Sequence, residues 1–358
     1  MAGALVQLAS KGSQDAYMIS ETLDNSLFRM RYNRHTNFAQ VPKLVDVFTI
    51  QSGSSTVIEI PPHGDLLTGL WIEGDNISEN MRGGRVDLYI GGQKIDSHST
   101  TFITDVWAQY MADSYTKSQI INNRTSTSDS TFFPLHFFFC DNWQHIPMTA
   151  LQYHKVEIHI HTGASAVSGK LYGNYVFLDT MERRELVDKP KQFMITQVQE
   201  LAQEVKTGVT NIDLTSLNHP VRALYWGFRM ESSDIADDFM TFRNCDISIN
   251  GTQLLENMSP TYFHTVQGYY HSPTGLINMD QITNSPYYTR FYTYNFGLNS
   301  SSYKPTGTLN FSRIDNAKVV VRDISTGTNH IGKDIVLFAV GYNILKIERG
   351  LGGVLFSN

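Results

Sequence analysis

The chain has 358 residues, 17% of them charged and 12% aromatic, with a formal net charge of −6. That length exceeds the size at which one core stops growing, so two domains are expected, and an acidic balance without a Lys/Arg cluster excludes direct packing on nucleic-acid phosphates. Two cysteines, Cys140 and Cys245, exclude a disulfide framework and are expected to be reduced and buried.

Residues Met1 to Phe38 show no sustained period and are expected to form an N-terminal arm, ending in the basic, polar stretch RYNRHTNFA. Near its start, ALVQLA is too short for a signal-peptide core, and the expectation is a cytosolic chain. VDVFTIQ, STVIEIPP and LLTGLWIEG then alternate apolar residues up to Pro and Gly, as strands do. VDLYIGGQKI reads as strand, turn and strand about Gly91-Gly92. TTFITDVWAQYM places Phe102, Val106, Gln109 and Tyr110 at helical spacing, one short helix on a loop, and NNRTSTSDST reads as a polar, mobile loop. FFPLHFFF, PMTALQYHKVEIHIHTG and NYVFLDTM return to strands. The run FFPLHFFFC is too short to span a membrane and is interrupted by Pro134 and His136.

MERRELVDKPK alternates in sign and reads as a solvated linker, with residues 185–191 joining the halves. The scheme then repeats from QFMITQVQEL through NIDLTSLNHPVRALYWGF, CDISINGTQL, YTRFYTYNFGL, PTGTLNFSRIDNAKVVVRD and DIVLFAVGYNILKIERG. The tail GLGGVLFSN lacks the Lys-Ser/Thr of a phosphate loop and reads as a terminal strand and turn.

CDISINGTQL copies VDLYIGGQKI, with Asp87, Ile90 and Gly92 answering to Asp246, Ile249 and Gly251 at an offset of 159. Trp71 aligns with Trp226 at 155, Pro147 with Pro305 at 158, and Val156 with Val319 at 163. Collinear pairs at drifting offsets predict a duplicated domain of about 160 residues, too long a period for a solenoid. The expected fold is all-β: two tandem eight-stranded jelly rolls (β-sandwiches) with short helices in loops, the first over 39–184 and the second over 192–358.

Catalytic chemistry is sparse. His159-x-His161 places two imidazoles on one strand face, the metal-binding pattern of cupin barrels, but that pattern also needs a Gly and a Glu where this chain has Tyr153 and Ala164 or Ser165. No G-x-S-x-G elbow occurs, and neither Cys lies in an activating setting. The expectation is no catalytic, cofactor or metal site. Aromatics beside Arg290 in YYTRFYTY read as strand core before they read as a base-stacking platform. Six Asn-x-Ser/Thr sequons, at Asn76, Asn123, Asn250, Asn257, Asn299 and Asn310, are expected to be unmodified without secretory targeting.

TGTLNFSRIDNA (Thr306 to Ala317) and YNILKIERGLGGVLFSN resemble the double jelly-roll major capsid proteins of the nucleocytoplasmic large DNA viruses. PLHFFFCDNWQHIPMTALQYHKVEI, YVFLDTMERRELV, LNHPVRALYW and the opening GALVQLASKGSQDAYMI are similar to the same family, in the same order. The resemblance implies a structural protein, not an enzyme, that forms homotrimers and tiles an icosahedral shell as pseudo-hexagonal capsomers. It implies neighbouring capsomers, minor capsid and penton proteins and an internal viral membrane as partners, and a virion location after assembly in the host cytoplasm. It places the arm, with Arg31, Arg34 and His35 as polar contacts, on the inner face of the capsomer. The chain is short in the outer loops of that family, which argues against a large glycan-bearing crown. The alternatives are a minor capsid or penton-like member of the lineage, a bicupin enzyme, which a metal assay would reveal, and a tandem lectin-like module, which would bind sugars as a monomer.

Overall fold

The computed structural model describes residues 2–20, 28, 34–122, 131–140, 144–228, 241–273, 291–324 and 334–356. Arg31, Asn123 and nearly all of the NNRTSTSDST loop lie outside the described residues. The chain divides into two units, Met1–Asn37 and Phe38–Asn358.

In the first unit Ala2–Ala9 is an α-helix, where the sequence reading expected no element. Its run of Ala and Leu favours helix without an amphipathic partner, and Leu5, Val6 and Leu8 are exposed. A turn follows in which the Gly12 N–H donates to Asp15 Oδ2 (2.6 Å). No described residue of this unit lies in a strand.

The second unit is a string of antiparallel strands: β1 (Phe38–Ile50), β2 (Ser55–Ile60), β3 (Leu66–Glu73), β4 (Arg85–Ile90), β5 (Gln93–Ser99), β6 (Phe132–Pro134), β7 (Ile146–Pro147), β8 (Val156–His161) and β9 (Val167–Leu178). A helix, Thr180–Asp188, leads to β10 (Lys191–Glu204), β11 (Val209–Asp213), β12 (Pro220–Phe228), β13 (Asn244–Ile249), β14 (Thr252–Met258), β15 (Phe291–Asn295), β16 (Leu309–Asn310), β17 (Ala317–Arg322), β18 (Asp334–Glu348) and β19 (Leu351–Val354). β1 opens on Phe38, paired with Leu178, so the first sheet begins one residue inside the stretch read as arm.

The topology is a duplication strand by strand. The first half forms sheets β1-β9-β3-β6 and β2-β8-β4-β5, and the second half forms β10-β18-β12-β15 and β11-β17-β13-β14. Counted from its own first strand, each half therefore runs 1-9-3-6 and 2-8-4-5. Even the short seventh strands agree, β7 pairing with β3 and β16 with β12. Each half is an eight-stranded jelly roll in which full pairing and a second sheet cover most edges.

The hairpins match to the residue. Ile90 faces Gln93 as Ile249 faces Thr252, and both pairs of strands shift register at the same place, after Leu88 and after Ile247. Both turn residues lie at positive φ in each copy, Gly91 and Gly92 in one, Asn250 and Gly251 in the other, the geometry of a type I′ turn.

Of the other three alignments, two find the right strands in the wrong register and one falls in a loop. β3 pairs with β9, and β12 with β18, around shifts at Thr68 and Arg222. Aligning those shifts makes Trp71 equivalent to Tyr225 and Ile72 equivalent to Trp226, an offset of 154. One residue changes the face: Trp71 lies outside its roll, stacked on Tyr172, while Trp226 is fully buried in the second core. Pro147 matches Asn310 by its pairing with the third strand, and Pro305 lies in the preceding loop. Val156 matches Ala317, two residues from the expected Val319 and on the same face.

One further expectation is corrected. FFPLHFFF is a strand only as far as Pro134, which has no N–H to extend a ladder; Phe137 and Phe139 then fill the core from a turn closed by Cys140 N–H to Phe137 O (2.8 Å). Between the rolls, the helix runs to Asp188 and β10 starts at Lys191. The helix buries no side chain fully, but Arg183 grips Asp65 with two nitrogens, at 2.8 and 2.9 Å, and Asp65 is buried.

Candidate functional site

The feature that dominates the unit is the contact between the two rolls. It is built around the ten-residue helix Phe102–Met111, inserted between β5 and β6. Eight of those ten residues are buried, and a helix apolar on nearly all sides must be covered on more than one. One side rests on its own roll, where Thr104 Oγ1 donates to Thr100 O (2.7 Å) and Thr100 Oγ1 donates to Met81 O (2.6 Å). The other side meets the second roll's sheet.

That sheet is buried on both faces. Along β18, Ile335, Leu337 and Ala339 point into the second roll's own core, while Val336, Phe338 and Val340 join the core of the first roll. β12 divides in the same way, Leu224 and Trp226 inward, Ala223 and Tyr225 outward. Phe102 lies 5.5 Å from Phe338 and Tyr110 lies 5.6 Å from Tyr225, ring to ring. The unbroken apolar run IVLFAV in β18, against the alternation of VEIHIH in β8, is the signal of a strand covered on both faces.

Polar groups fix the register of this contact. The Tyr110 hydroxyl donates to Phe291 O and Ser300 Oγ donates to Tyr110 O, each at 2.6 Å. Burial pushes the Tyr110 hydroxyl well above its ordinary pKa and Tyr225 up to about 12, so both remain neutral. Asp96 Oδ1 accepts the Val198 N–H (2.9 Å), its Oδ2 lies 2.8 Å from His98 Nε2, and Gln197 donates to Ile95 O (2.5 Å). The Gly-rich tail completes the seam. β19 pairs with β18, Val354 N–H donates to Gln93 Oε1 (3.1 Å), and a Cβ on Gly352 would stand 2.7 Å from Leu151 Cδ2, so a larger residue there would make that leucine end shift.

His159 and His161 do face one side of β8, as read, but they serve separate neighbours. His159 stacks on Tyr89 at 4.0 Å, and His161 Nε2 lies 3.5 Å from Asp87 Oδ2. Among the described residues no three His, Cys, Asp or Glu side chains converge as a metal site would require. Phe291 and Tyr292 of the YYTRFYTY run are buried strand-core rings. Cys245 is buried, which pushes its thiol well up, and Cys140 is half-buried. Arg34 and His35 are exposed, and His35 Nδ1 lies 2.8 Å from Thr36 O; Arg31 lies outside the described residues.

The duplication also preserves a charge. Asp87 and Asp246 are both buried, and each faces a basic side chain of its roll's eighth strand at the same register, His161 and Arg322 respectively. Hydrogen bonding from Arg322 (2.5 Å) holds the Asp246 carboxyl below its ordinary pKa, so this pair stabilises above the unfolded carboxylate pKa and is lost as pH falls through the folded one. His264 acts sooner. Burial lowers its pKa to about 4, so below about pH 6.5 the unfolded chain takes a proton that the folded chain refuses. Stability should therefore fall between pH 6.5 and 4, by on the order of 2–3 kcal/mol from this group. Urea midpoints at pH 7 and 4.5 check it: the drop should be smaller in His264→Gln, and an equal drop would remove His264 from the account.

Two jelly rolls in tandem, locked through a shared core, define a double jelly-roll protein. Residues 182–353 match the family described as large eukaryotic DNA virus major capsid protein, and residues 83–179 match the major capsid protein N-terminus. The major capsid protein of Pyramimonas orientalis virus is 30% identical with both chains fully covered, and that of Paramecium bursaria Chlorella virus 1 is 25% identical with the same coverage. The structure of PBCV-1 VP54 fitted into a reconstruction of the virophage Sputnik shares the fold, with a TM-score of 0.77, 22% identity, and coverage of 93% of this chain and 100% of that one. The chain belongs to the major capsid proteins of large eukaryotic DNA viruses. It is a structural component of the virion capsid, and not an enzyme.

Proposed function

We propose that three copies of this chain form a pseudo-hexagonal capsomer, and that capsomers tile the icosahedral shell of a large double-stranded DNA virus assembled in the host cytoplasm. The observation that carries the reading is the strand-for-strand duplication, with the first roll's core extending onto the second roll's sheet. Two like rolls held rigidly in each chain give a three-fold assembly six like edges, so it fits a lattice site of hexagonal surroundings. Its lateral partners are then neighbouring capsomers, and penton and minor capsid proteins where the lattice changes. Negative-stain images of the purified protein should show six-sided particles with three-fold averages. Two-lobed particles the size of one chain would overturn the reading.

The Met1–Asn37 unit has its own helix and contributes no described strand to either roll, which supports a role in the shell and not in the fold. Exposed Leu5, Val6 and Leu8, with Arg34 and His35 at the other end, equip it to meet minor capsid proteins and the membrane on the inner face. Deleting residues 1–37 should leave trimers of nearly unchanged melting temperature that fail to enter shells. Loss of trimers in that deletion would assign the arm to the fold.

A further inference from the structure

The Gly-rich tail is fixed in place with its large apolar side chains outward. In β19, Gly352 and Val354 turn inward, toward Leu151 and the first roll's core, and strand alternation turns Leu351 out beside Lys346 and Glu348 of β18. Past the strand the backbone is still tied, Leu355 N–H donating to Ile344 O (2.7 Å) and Asn343 Nδ2 donating to Phe356 O (2.8 Å), yet both side chains face solvent. Leu351, Leu355 and Phe356 are 48, 51 and 55% exposed, and Tyr153, whose N–H donates to Gly350 O (3.1 Å), is 74% exposed beside them. Holding such side chains in water gains nothing within the chain.

Leu351 and Leu355 line one shallow groove with Lys346, Glu348 and Arg349, two cations against one carboxylate on a chain whose net charge is −6. Lys346 Nζ lies 2.5 Å from Glu348 Oε2, and Arg349, mostly exposed, lies 3.8 Å from the same carboxylate. The groove offers no strand edge to another protein, because first-roll side chains occupy the outer edge of β19: Val354 N–H donates to Gln93, and Gly352 O and N lie 2.8 and 3.1 Å from His154 Nδ1. Its place in the fold is where the arm enters. The arm unit ends at Asn37, Phe38 pairs with Leu178, the helix Thr180–Asp188 follows, and Lys191 then pairs with Ile347, next to the turn into β19. Phe38 and Met181 are exposed there as well.

We propose that this tail face rests on an anionic lipid bilayer, with Tyr153, Leu351, Leu355 and Phe356 entering the headgroup boundary and Arg349 meeting lipid phosphate. A rigid face of aromatic and leucine side chains with a guanidinium at its rim has the chemistry of an interfacial anchor. The proposal rests on the inner-face reading of the arm above and adds a second, folded anchor to it.

The test is flotation of the purified full chain with phosphatidylcholine vesicles, with and without phosphatidylserine. The unsubstituted protein should float, more completely with the anionic lipid. A Leu355→Asp, Phe356→Asp double variant should fall to the level of a vesicle-free control with its circular dichroism unchanged, because both side chains already face solvent. Arg349→Glu should lose the preference for phosphatidylserine, and a Leu5→Asp, Leu8→Asp variant of the arm should keep floating. As a direct reading of position, Phe356→Trp should add emission that brominated phosphatidylcholine quenches. Flotation lost in the arm variant but kept in the tail variant, or no added quenching in Phe356→Trp, would overturn the tail anchor and leave the arm's role standing. An unsubstituted protein that does not float on either lipid would overturn membrane contact by arm and tail alike.

Discussion

Replacing Phe338 by alanine is expected to cost about 3–5 kcal/mol, the range for emptying a fully buried aromatic site. Phe338 is 1% exposed and belongs to the first roll's core although it lies in the second roll's sheet, touching Phe102 at 5.5 Å and Phe291 at 5.9 Å between ring centroids. The cavity would open where two packed layers meet and where backbone pairing on β18 prevents either layer from closing in. Leu337→Ala, one residue away, empties only the second roll's own core. The two variants separate joint from core: Phe338→Ala should loosen the rolls, read as faster proteolysis at the 180–190 helix, and Leu337→Ala should not. A loss under about 1 kcal/mol in Phe338→Ala would mean that the joint is weaker than its packing implies.

The second large effect is expected on cutting the chain. A fragment of residues 189–358 retains all ten strands of the second roll, yet exposes Ala223, Tyr225, Val336, Phe338 and Val340 along the whole outer face of one sheet. It also leaves Asp96 and the Ile95 carbonyl, the acceptors for Val198 and Gln197, on the discarded half. An apolar patch of that extent drives association. The fragment should be recovered insoluble or as soluble aggregates, and co-expression with residues 38–188 should rescue it. A soluble monomeric fragment with a cooperative unfolding transition would show that the second roll stands alone.

Much of this architecture is legible in the chain because turns and hairpins are local. Asn250-Gly251 and Gly91-Gly92 dictate positive φ at both central positions, and the flanking alternation sets the strands, so that pair is right to the residue. The Trp71 and Trp226 match fails by one because identity of residue type is not identity of environment. The bulky position in the first roll faces out and the one in the second faces in, and a period of two turns a single-residue slip into a change of face. Pro305 misleads for a different reason, since loop lengths between strands drift freely and only the ladder of hydrogen bonds identifies Asn310 as the true partner of Pro147.

The joint between the rolls is less legible. Phe102, Val106 and Tyr110 announce a helix by their spacing, but nothing local says what covers it, because the cover comes from β12 and β18, more than a hundred residues later. The clue is in the second half, where IVLFAV and ALYW lose the alternation that a one-sided strand requires. The Asp65 to Arg183 pair is hidden for the same reason: an Arg in a sign-alternating run looks solvated until the sheet brings a buried carboxylate beneath it.

That three copies of the chain close into one capsomer is tested most directly by the mass of the assembled particle. Native mass spectrometry of the purified protein at micromolar concentration should give one dominant species at three times the 40.5 kDa of a single chain. A dominant species at 40.5 kDa for the unsubstituted protein, or a continuous distribution of higher masses without a closed trimer, would contradict it.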